Sequence, residues 1–551
     1  MPDLPDLVVG RLREIGVRAI FGVPGGGGNL DLIEAAGRAG LPFVLTSTET
    51  GAAIAALAQA EITGRPGACL STLGPGAASL ANGVACAYLD RAPLLVFTDS
   101  HPASAGGAWT HQQLDHQALL APITKWSGRL SGGTAARTLD EAVRAVLDVP
   151  PGPVHLDWPG DATVAEDEGG RDLGSANRER ETANRERETA NRERETANRE
   201  PRTANRDRLG NLVTSTHRPV VIAGLGARSG ADAAAIRELC EHRRVPALVT
   251  YKAKGVVPDD HPWFAGVFTN AAIERPVVDR SDLIIGVGLD PVELLPRPWP
   301  YTQPVAHVGR WRVSDDQVPF AVQLVTDAAA AVREIEARAP DSDWDLDEIA
   351  HARERQLRAV DIPSDGLTAQ RVVQLAAARF ANGSRVTVDA GAHMVPATML
   401  WPVNEPNGML ISNGLSSMGF ALPAAIGAAL AERARPVVVL TGDGGLLMCL
   451  AEFATAVREK LPVVTVVFND ASLSLIEIKQ QHRRYRPSGV ALGPIDWPGV
   501  AAGFGVTPFV ARDEGELRRA LDQAAACEGP SLIDARIDPS NYARTFQAVR
   551  G

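Results

Sequence analysis

Two aspartates late in the chain carry the clearest chemistry. Gly442-Asp443-Gly444 is followed by 24 residues and then Asn469-Asp470. A strand-like run, Pro436–Leu440, ends just before the first element, and another, Val463–Asn469, ends at the second. If the two strands lie parallel and adjacent, both carboxylates fall at their carboxyl ends, where open α/β sheets bind ligands. Hard carboxylate oxygens beside phosphate-bearing ligands suit Mg²⁺, and Gly444 and Gly445 let a phosphate approach the backbone. The same residues also fit a tight strand-to-helix turn and a helix cap. A second carboxylate, Glu49, opens an apolar helical stretch over Gly51–Ala60. Either it caps that helix or it is the buried acid of a ligand pocket. Gly25-Gly26-Gly27-Gly28, directly after Phe21-Gly22-Val23-Pro24, permits close backbone approach as well.

The elements that must position these groups alternate between apolar strand-like runs and helical patterns, as in doubly wound α/β domains. The first set reads Ala19–Phe21, Phe43–Thr46, Ala68–Ser71 and Leu94–Thr98. Pro219–Ala223 and Leu283–Val287 read as strands of a second unit, and a third begins near Gly366, with strands at Arg385–Asp389, Pro436–Leu440 and Val463–Asn469. Leu446–Lys460 reads as a single crossover helix. Ala223-Gly224-Leu225-Gly226 lacks the full dinucleotide spacing and reads as helix–strand packing.

Between the first and second units lies a tandem heptad, Ala-Asn-Arg-Glu-Arg-Glu-Thr, from Ala176, Ala183 and Ala190, decaying after Ala197 and Ala204. A coiled coil needs two apolar positions per heptad, and only alanine is present, so a solvated linker is expected. The expected division is residues 1–165, a linker over 166–210, a central domain over 211–345 and a last domain over 346–551. The fold class is α/β, with three doubly wound domains.

A formal charge of −11 over 551 residues argues against a nucleic-acid partner, which needs a basic face. No long uncharged apolar run suggests a membrane span, and the first residues lack the pattern of a signal peptide. Cys69, Cys86, Cys240, Cys449 and Cys527 are scattered and show no CxxC pairing, so buried thiols and a cytoplasmic location are expected.

In combination these motifs resemble the thiamine-diphosphate family of acetolactate synthase, pyruvate oxidase and benzoylformate decarboxylase. The matching stretches are Phe21-Gly-Val-Pro-Gly-Gly26, Thr48-Glu49, Gly64-Arg-Pro-Gly67 and Leu73-Gly-Pro-Gly76, then Asp90-Arg-Ala-Pro93, Gln112 with Lys125, and Gly152-Pro-Val-His-Leu-Asp157. Asp389-Ala-Gly391, Met418-Gly-Phe420 and the Asp443/Asp470 pair follow. The resemblance implies pyrimidine-binding, central and diphosphate-binding domains, in that order. It makes Glu49 the carboxyl partner of the pyrimidine ring, which favours the imino form of the cofactor's own amine as base for the thiazolium C2 proton. Met418 would wedge between the two rings, and the carbonyl of Ser416 would accept from the pyrimidine amine. Asp443, Asp470 and the backbone oxygen of Ser472 would hold Mg²⁺. Gly391, His393, Gly444, Gly445, Leu473 and Leu475 would surround the diphosphate, with Gly26 and Pro75 also in the cofactor-binding set.

The implied reaction is decarboxylation of a 2-oxo acid with carboligation of the product to a second carbonyl, in a homodimer or homotetramer whose sites lie between subunits. A non-carboligating decarboxylase and a catalytically silent cofactor-binding homologue are the alternatives. The paired histidines typical of pyruvate decarboxylase-like members are absent after the glycine run. Gln112 matches a pocket glutamine that bonds a reacting carbonyl. Ser79, Ala392 and Asp470 depart from the commoner Asn, Gln and Asn. Lys479 stands where acetolactate synthases carry a channel tryptophan, so it is either a substrate-carboxylate partner or a surface lysine. The central domain lacks the Arg-Phe-Asp-Asp run of flavin-binding synthases, which argues against FAD.

Overall fold

The structure is a computed structural model that describes residues 3–102, 105, 108–162 and 202–551. The heptads from Ala176 to Ala197 lie outside the described residues. Three six-stranded sheets, parallel throughout, make up the chain. In the first, the order is Phe43–Leu45, Ile20–Gly22, Gly67–Ser71, Leu94–Ser100, Pro153–Pro159, Trp126–Arg129. The third runs Met409–Ile411, Arg385–Val388, Val437–Gly442, Val463–Asn469, Ser531–Arg536, Thr507–Ala511. Valine-rich strands such as Val463–Asn469 are buried on both faces because helices cover each side of a parallel sheet.

Each sheet reverses its winding near its middle. In the first sheet the reversal falls between Ile20–Gly22 and Gly67–Ser71, and in the third between Arg385–Val388 and Val437–Gly442. Loops leaving the carboxyl ends of such neighbours diverge and leave a crevice. The glycine run Gly25–Gly28 and the turn Thr72–Gly76 flank the first crevice; Asp389–His393 and Gly442–Gly445 flank the third.

The central sheet, ordered Phe320–Val325, Val305–Gly309, Leu283–Val287, Pro219–Ala223, Ala247–Val249, Phe264–Val267, has its crevice filled. A Cβ on Gly224 would lie 2.5 Å from the Gly288 oxygen, and Glu293 inserts its carboxyl to accept from the Leu225 amide at 2.8 Å and the Thr250 hydroxyl at 2.6 Å.

The first and third domains pack through two alanine-rich helices, Glu49–Thr63 and Ala421–Ala431, which approach so closely that a Cβ on Gly427 would strike the Ala55 carbonyl. The former helix runs further both ways than the expected Gly51–Ala60: the Thr48 hydroxyl accepts from the Gly51 amide, and Gly64 closes it at φ 63°. Helix Arg202–Thr214 reaches back into the stretch read as linker. There Asn205 bonds the Gln323 carbonyl, Arg206 pairs with Glu334, and Leu209 joins the central core.

The crossover expected as one helix over Leu446–Lys460 is broken. Asp443–Leu447, a 3₁₀ turn Leu450–Glu452 and Phe453–Arg458 replace it. Cys449 leaves helical geometry at φ −136°, ψ 10°, and the break turns the Glu452 carboxylate inward toward Thr48.

Candidate functional site

The third-domain crevice is built from four segments. Asp443 accepts from the Gly444 amide and, through its other oxygen, from the Ala471 amide, both at 2.7 Å. That second bond brings the strand end at Asn469-Asp470 beside Asp443, as the sequence spacing required. Asp470 in turn accepts from the Ser472 amide at 3.1 Å and the Ser474 hydroxyl at 2.5 Å. Burial, then the charge of Asp470, pushes Asp443 up to about 6, and burial raises Asp470 as well. Two largely buried carboxylates, one of them raised by the other's charge, have the chemistry that a bound cation relieves. Among the described residues no three His, Cys, Asp or Glu side chains converge as a closed metal site. A cation at this pair would therefore complete its shell with backbone oxygens, such as that of Ser472, and with oxygens of a ligand, the habit of Mg²⁺.

The other walls suit a phosphate group. His393 is fully buried, its ring stacked on Phe468 at 4.9 Å between centroids, and burial lowers it to about 4. Its Nε2 has no hydrogen-bond partner. A buried ring nitrogen without a partner is costly unless a ligand supplies one. A Cβ on Gly391 would sit 2.6 Å from the His393 ring, and one on Gly444 would sit 2.5 Å from Leu473 Cδ2 and 3.4 Å from the Met418 methyl. Leu473 and Met418 thus close around Gly444, whereas Leu475 packs partly against the adjoining core. Gly445 is glycine for a different reason, since any Cβ would strike the Asp389 carboxyl.

Asp389 was not singled out as a site residue from sequence, although it ends a predicted strand. It is buried, held up to about 6 by that burial, and accepts from the Thr441 hydroxyl and the Ala390, Gly419 and Phe420 amides at 2.8–3.1 Å. One carboxyl therefore ties the segment carrying Met418 to the one carrying Asp443. Ser416, two residues before Met418, is exposed and adopts φ 54°, with its hydroxyl on the Asn413 carbonyl. Ala471 adopts φ 56° between Asp470 and Ser472. Non-glycine residues in this region carry strain and concentrate where surrounding structure dictates the backbone path.

In the first domain Glu49 opens its helix and points an oxygen toward Gly76, where a Cβ would lie 3.1 Å from it. Among the described residues no hydrogen bond or ion pair engages this carboxylate. Gly26 is exposed with open space around it, and Pro75 is the exposed first residue of a short helix. Gln112, at φ 57°, fits its backbone against Gly74 and lines a cavity of about 290 Å³ with Leu73, His101, His116, Arg129 and Asp157. His116 bridges that wall, accepting from the Gly74 amide at 3.0 Å and bonding Asp157 at 2.9 Å. Lys125, by contrast, turns away to the carbonyls of Ala145 and Asp148. Lys479 is exposed on helix Ser474–His482.

Glu452 is the other residue that sequence reasoning missed. Fully buried, it accepts from the amides of Ser47 and Thr48 and from the hydroxyls of Thr48 and Thr455, at 2.8–3.2 Å. It clamps the two residues before Glu49 from the opposite domain. Within the sequence it lies inside an unremarkable apolar crossover, and only the break in that helix reveals it.

A buried ion cluster joins all three domains behind the site. Lys252 contacts Glu61 at 2.5 Å and Asp90 at 3.3 Å; Arg228 joins Glu61 at 3.0 Å, and Arg91 pairs with Asp290 at 2.9 Å. Asp90 also accepts from the Asn413 and Gly414 amides, at the start of the loop that carries Ser416 and Met418.

Comparison with known proteins places this geometry. Residues 3–119 match the thiamine pyrophosphate enzyme N-terminal TPP-binding domain, 207–335 the central domain, and 389–535 the C-terminal TPP-binding domain. The chain is 28% identical to a probable acetolactate synthase large subunit of Methanocaldococcus jannaschii, covering 97% of this chain and 92% of that one. It is likewise 28% identical to the acetolactate synthase isozyme 1 large subunit of Escherichia coli, with 97% and 93% covered. A probable 2-ketoarginine decarboxylase of Pseudomonas aeruginosa is 29% identical, with 95% and 92% covered.

Proposed function

This chain belongs to the thiamine pyrophosphate enzyme family, and we propose from that premise that it decarboxylates a 2-oxo acid and joins the product to a second carbonyl, in the manner its acetolactate synthase relatives are named for. The observation that carries the reading is the pairing of the crevice lined by Asp443, Asp470, His393 and Gly444 in one domain with an unengaged, helix-opening Glu49 in another. A silent binder would need the first and not the second.

Thiamine diphosphate, when bound, supplies a carbon nucleophile and an electron sink for loss of carbon dioxide. The chain's residues do the rest. Asp443, Asp470 and the Ser472 carbonyl would hold Mg²⁺, and His393 with the Gly391, Gly444 and Gly445 backbone would line the diphosphate end of the site. Met418 and Leu473 shape the wall between the two ends of the cofactor. The carboxyl of Glu49 would hydrogen-bond the pyrimidine ring, and the Ser416 carbonyl would accept from its amine. Gln112, which lines its cavity, would donate to the reacting carbonyl.

A homodimer or homotetramer completes the site. Among the exposed large apolar side chains, Leu30, Trp109, Leu114 and Leu119 belong to the first domain, and Leu447, Met448 and Ile476 to the segments around Asp443 and Asp470. Such surfaces mark contacts between chains. In this assembly Glu49 of one protomer faces Asp443 of another.

The filled central crevice, with Glu293 inserted at Leu225, supports an enzyme without FAD. Among the described residues no helix is long and apolar enough to cross a membrane. All five cysteines are free thiols, which supports a cytoplasmic setting.

The test is incubation with pyruvate, thiamine diphosphate and Mg²⁺, followed by assay of acetolactate against acetaldehyde. Acetolactate supports the reading; acetaldehyde alone selects the simple decarboxylase. Bound cofactor without turnover of any 2-oxo acid in a panel refutes both.

A further inference from the structure

Helix Ser474–His482 and the turn after it carry Lys479, His482, Arg483, Arg484 and Arg486, all exposed. In a chain of net charge −11 this is a local reversal of sign. Among the described residues none of the five side chains enters a hydrogen bond or an ion pair.

The excursion is anchored to the metal-facing segment at both ends. The Leu473 amide donates to the Val490 carbonyl at 2.8 Å, the Leu492 amide to the Ala471 carbonyl at 2.9 Å, and Ser472 bridges to Ala491. Its tip is held too, because Gln480 and Ser488 exchange two hydrogen bonds at 2.9 and 3.2 Å. Leu473 and Leu492 both reach Gly444. The cationic loop is thus an ordered flap that leaves from and returns to the diphosphate cradle.

We propose that this flap selects substrates carrying a second anionic group, so that the enzyme's preferred donor or acceptor is a dicarboxylic 2-oxo acid. The inference rests on the function proposed above and adds its substrate class. A 2-oxo acid's own carboxylate is satisfied by a bidentate arginine and one further donor. The four cations Lys479, Arg483, Arg484 and Arg486 exceed that need. They follow directly in the chain from the segment of Asp470 and Ser472, and Lys479 and His482 share a helix with Glu477, whose carboxylate accepts from the Ser472 hydroxyl at 2.8 Å. Guanidinium groups suit a carboxylate geometrically, and the same charges disfavour a cationic substrate such as the one named for the Pseudomonas relative.

The experiment compares kcat/KM for 2-oxoglutarate and 2-oxopentanoate in the wild-type holoenzyme and in an Arg483→Gln/Arg484→Gln/Arg486→Gln variant, at low and high salt. The wild type is expected to favour the dicarboxylate at least tenfold at low salt. That preference falls toward parity in the variant and at high salt, where screening shortens the reach of exposed charges. A wild-type ratio at or below one, or a ratio unchanged by the substitutions, overturns the proposal. So does loss of oligomeric assembly in the variant with the ratio intact, which would assign the arginines to a subunit contact. Thiamine diphosphate titration, followed by tryptophan fluorescence, separates the two levels. Absence of cofactor binding refutes the proposed function and this inference together, whereas normal binding without dicarboxylate preference refutes the inference alone.

Discussion

The Glu452 carboxylate accepts both the amide and the hydroxyl of Thr48, each at 2.9 Å, across 404 residues of sequence. This contact fixes the start of helix Glu49–Thr63 and with it the path of Glu49. It also runs between domains that serve different active sites in the proposed dimer. Replacing Glu452 with Ala leaves several buried donors without a partner, at about 1–3 kcal/mol for each unsatisfied group. The expected outcome is a lower melting temperature together with slowed turnover. Glu452→Gln keeps one acceptor oxygen and should recover stability better than activity.

The two glycines after Asp443 should respond differently to alanine. At Gly444 the nearest neighbours of the new methyl are the ends of the Leu473, Met418 and Leu492 side chains, so the fold tolerates it while the cradle narrows. Affinity for thiamine diphosphate is expected to fall at least tenfold, about 1.4 kcal/mol, with little change in melting temperature. Gly445→Ala strikes the Asp389 carboxyl and should destabilise by about 1–3 kcal/mol, the range for overpacking a core. Calorimetry of cofactor binding and thermal melts read the two effects separately.

Much of this architecture was legible in the sequence. The strands Pro219–Ala223, Leu283–Val287 and Val463–Asn469 were placed without error, since β-branched runs between polar turns leave few alternatives. Asp443 and Asp470 could be paired because a strand–crossover–strand unit forces both loops to one sheet edge. Glu452 and the Lys252 cluster were not legible. Each acts through partners distant in sequence, and no local periodicity encodes such a pairing. The broken crossover was missed for the same reason: apolar spacing over Leu446–Lys460 is helical, but tertiary bonds to Thr48 override it.

Lys252 neutralises Glu61 and Asp90 in a fully buried setting. Lys252→Met removes the cation and leaves an uncompensated buried charge, with an expected loss of about 3–5 kcal/mol. Because Asp90 also holds the Asn413 and Gly414 amides, the variant should bind cofactor more weakly even where it stays folded. Chemical denaturation and cofactor titration check the two parts.

Glu293 gives the protein an alkaline limit. Burial raises its carboxyl to about 8, so the folded state prefers it protonated. A raised pKa of this kind contributes stability that is complete below the ordinary carboxylate range and is lost as pH climbs through the folded value. The melting temperature should therefore decline from about pH 5 to about pH 8 and level off above it. Glu293→Gln, which stays neutral, should flatten that decline; an equally steep fall in the variant would assign it elsewhere.

The central claim is that Glu49 controls a proton at the cofactor's pyrimidine and so governs ionisation at the thiazolium C2. Hydrogen–deuterium exchange at C2 of bound thiamine diphosphate, followed by NMR in the wild type and in Glu49→Gln, tests it most directly. The account predicts exchange slowed by about a hundredfold or more, the scale of a lost acid–base contribution, while cofactor affinity stays within about tenfold. Exchange at the wild-type rate in the variant, with cofactor bound, would contradict it.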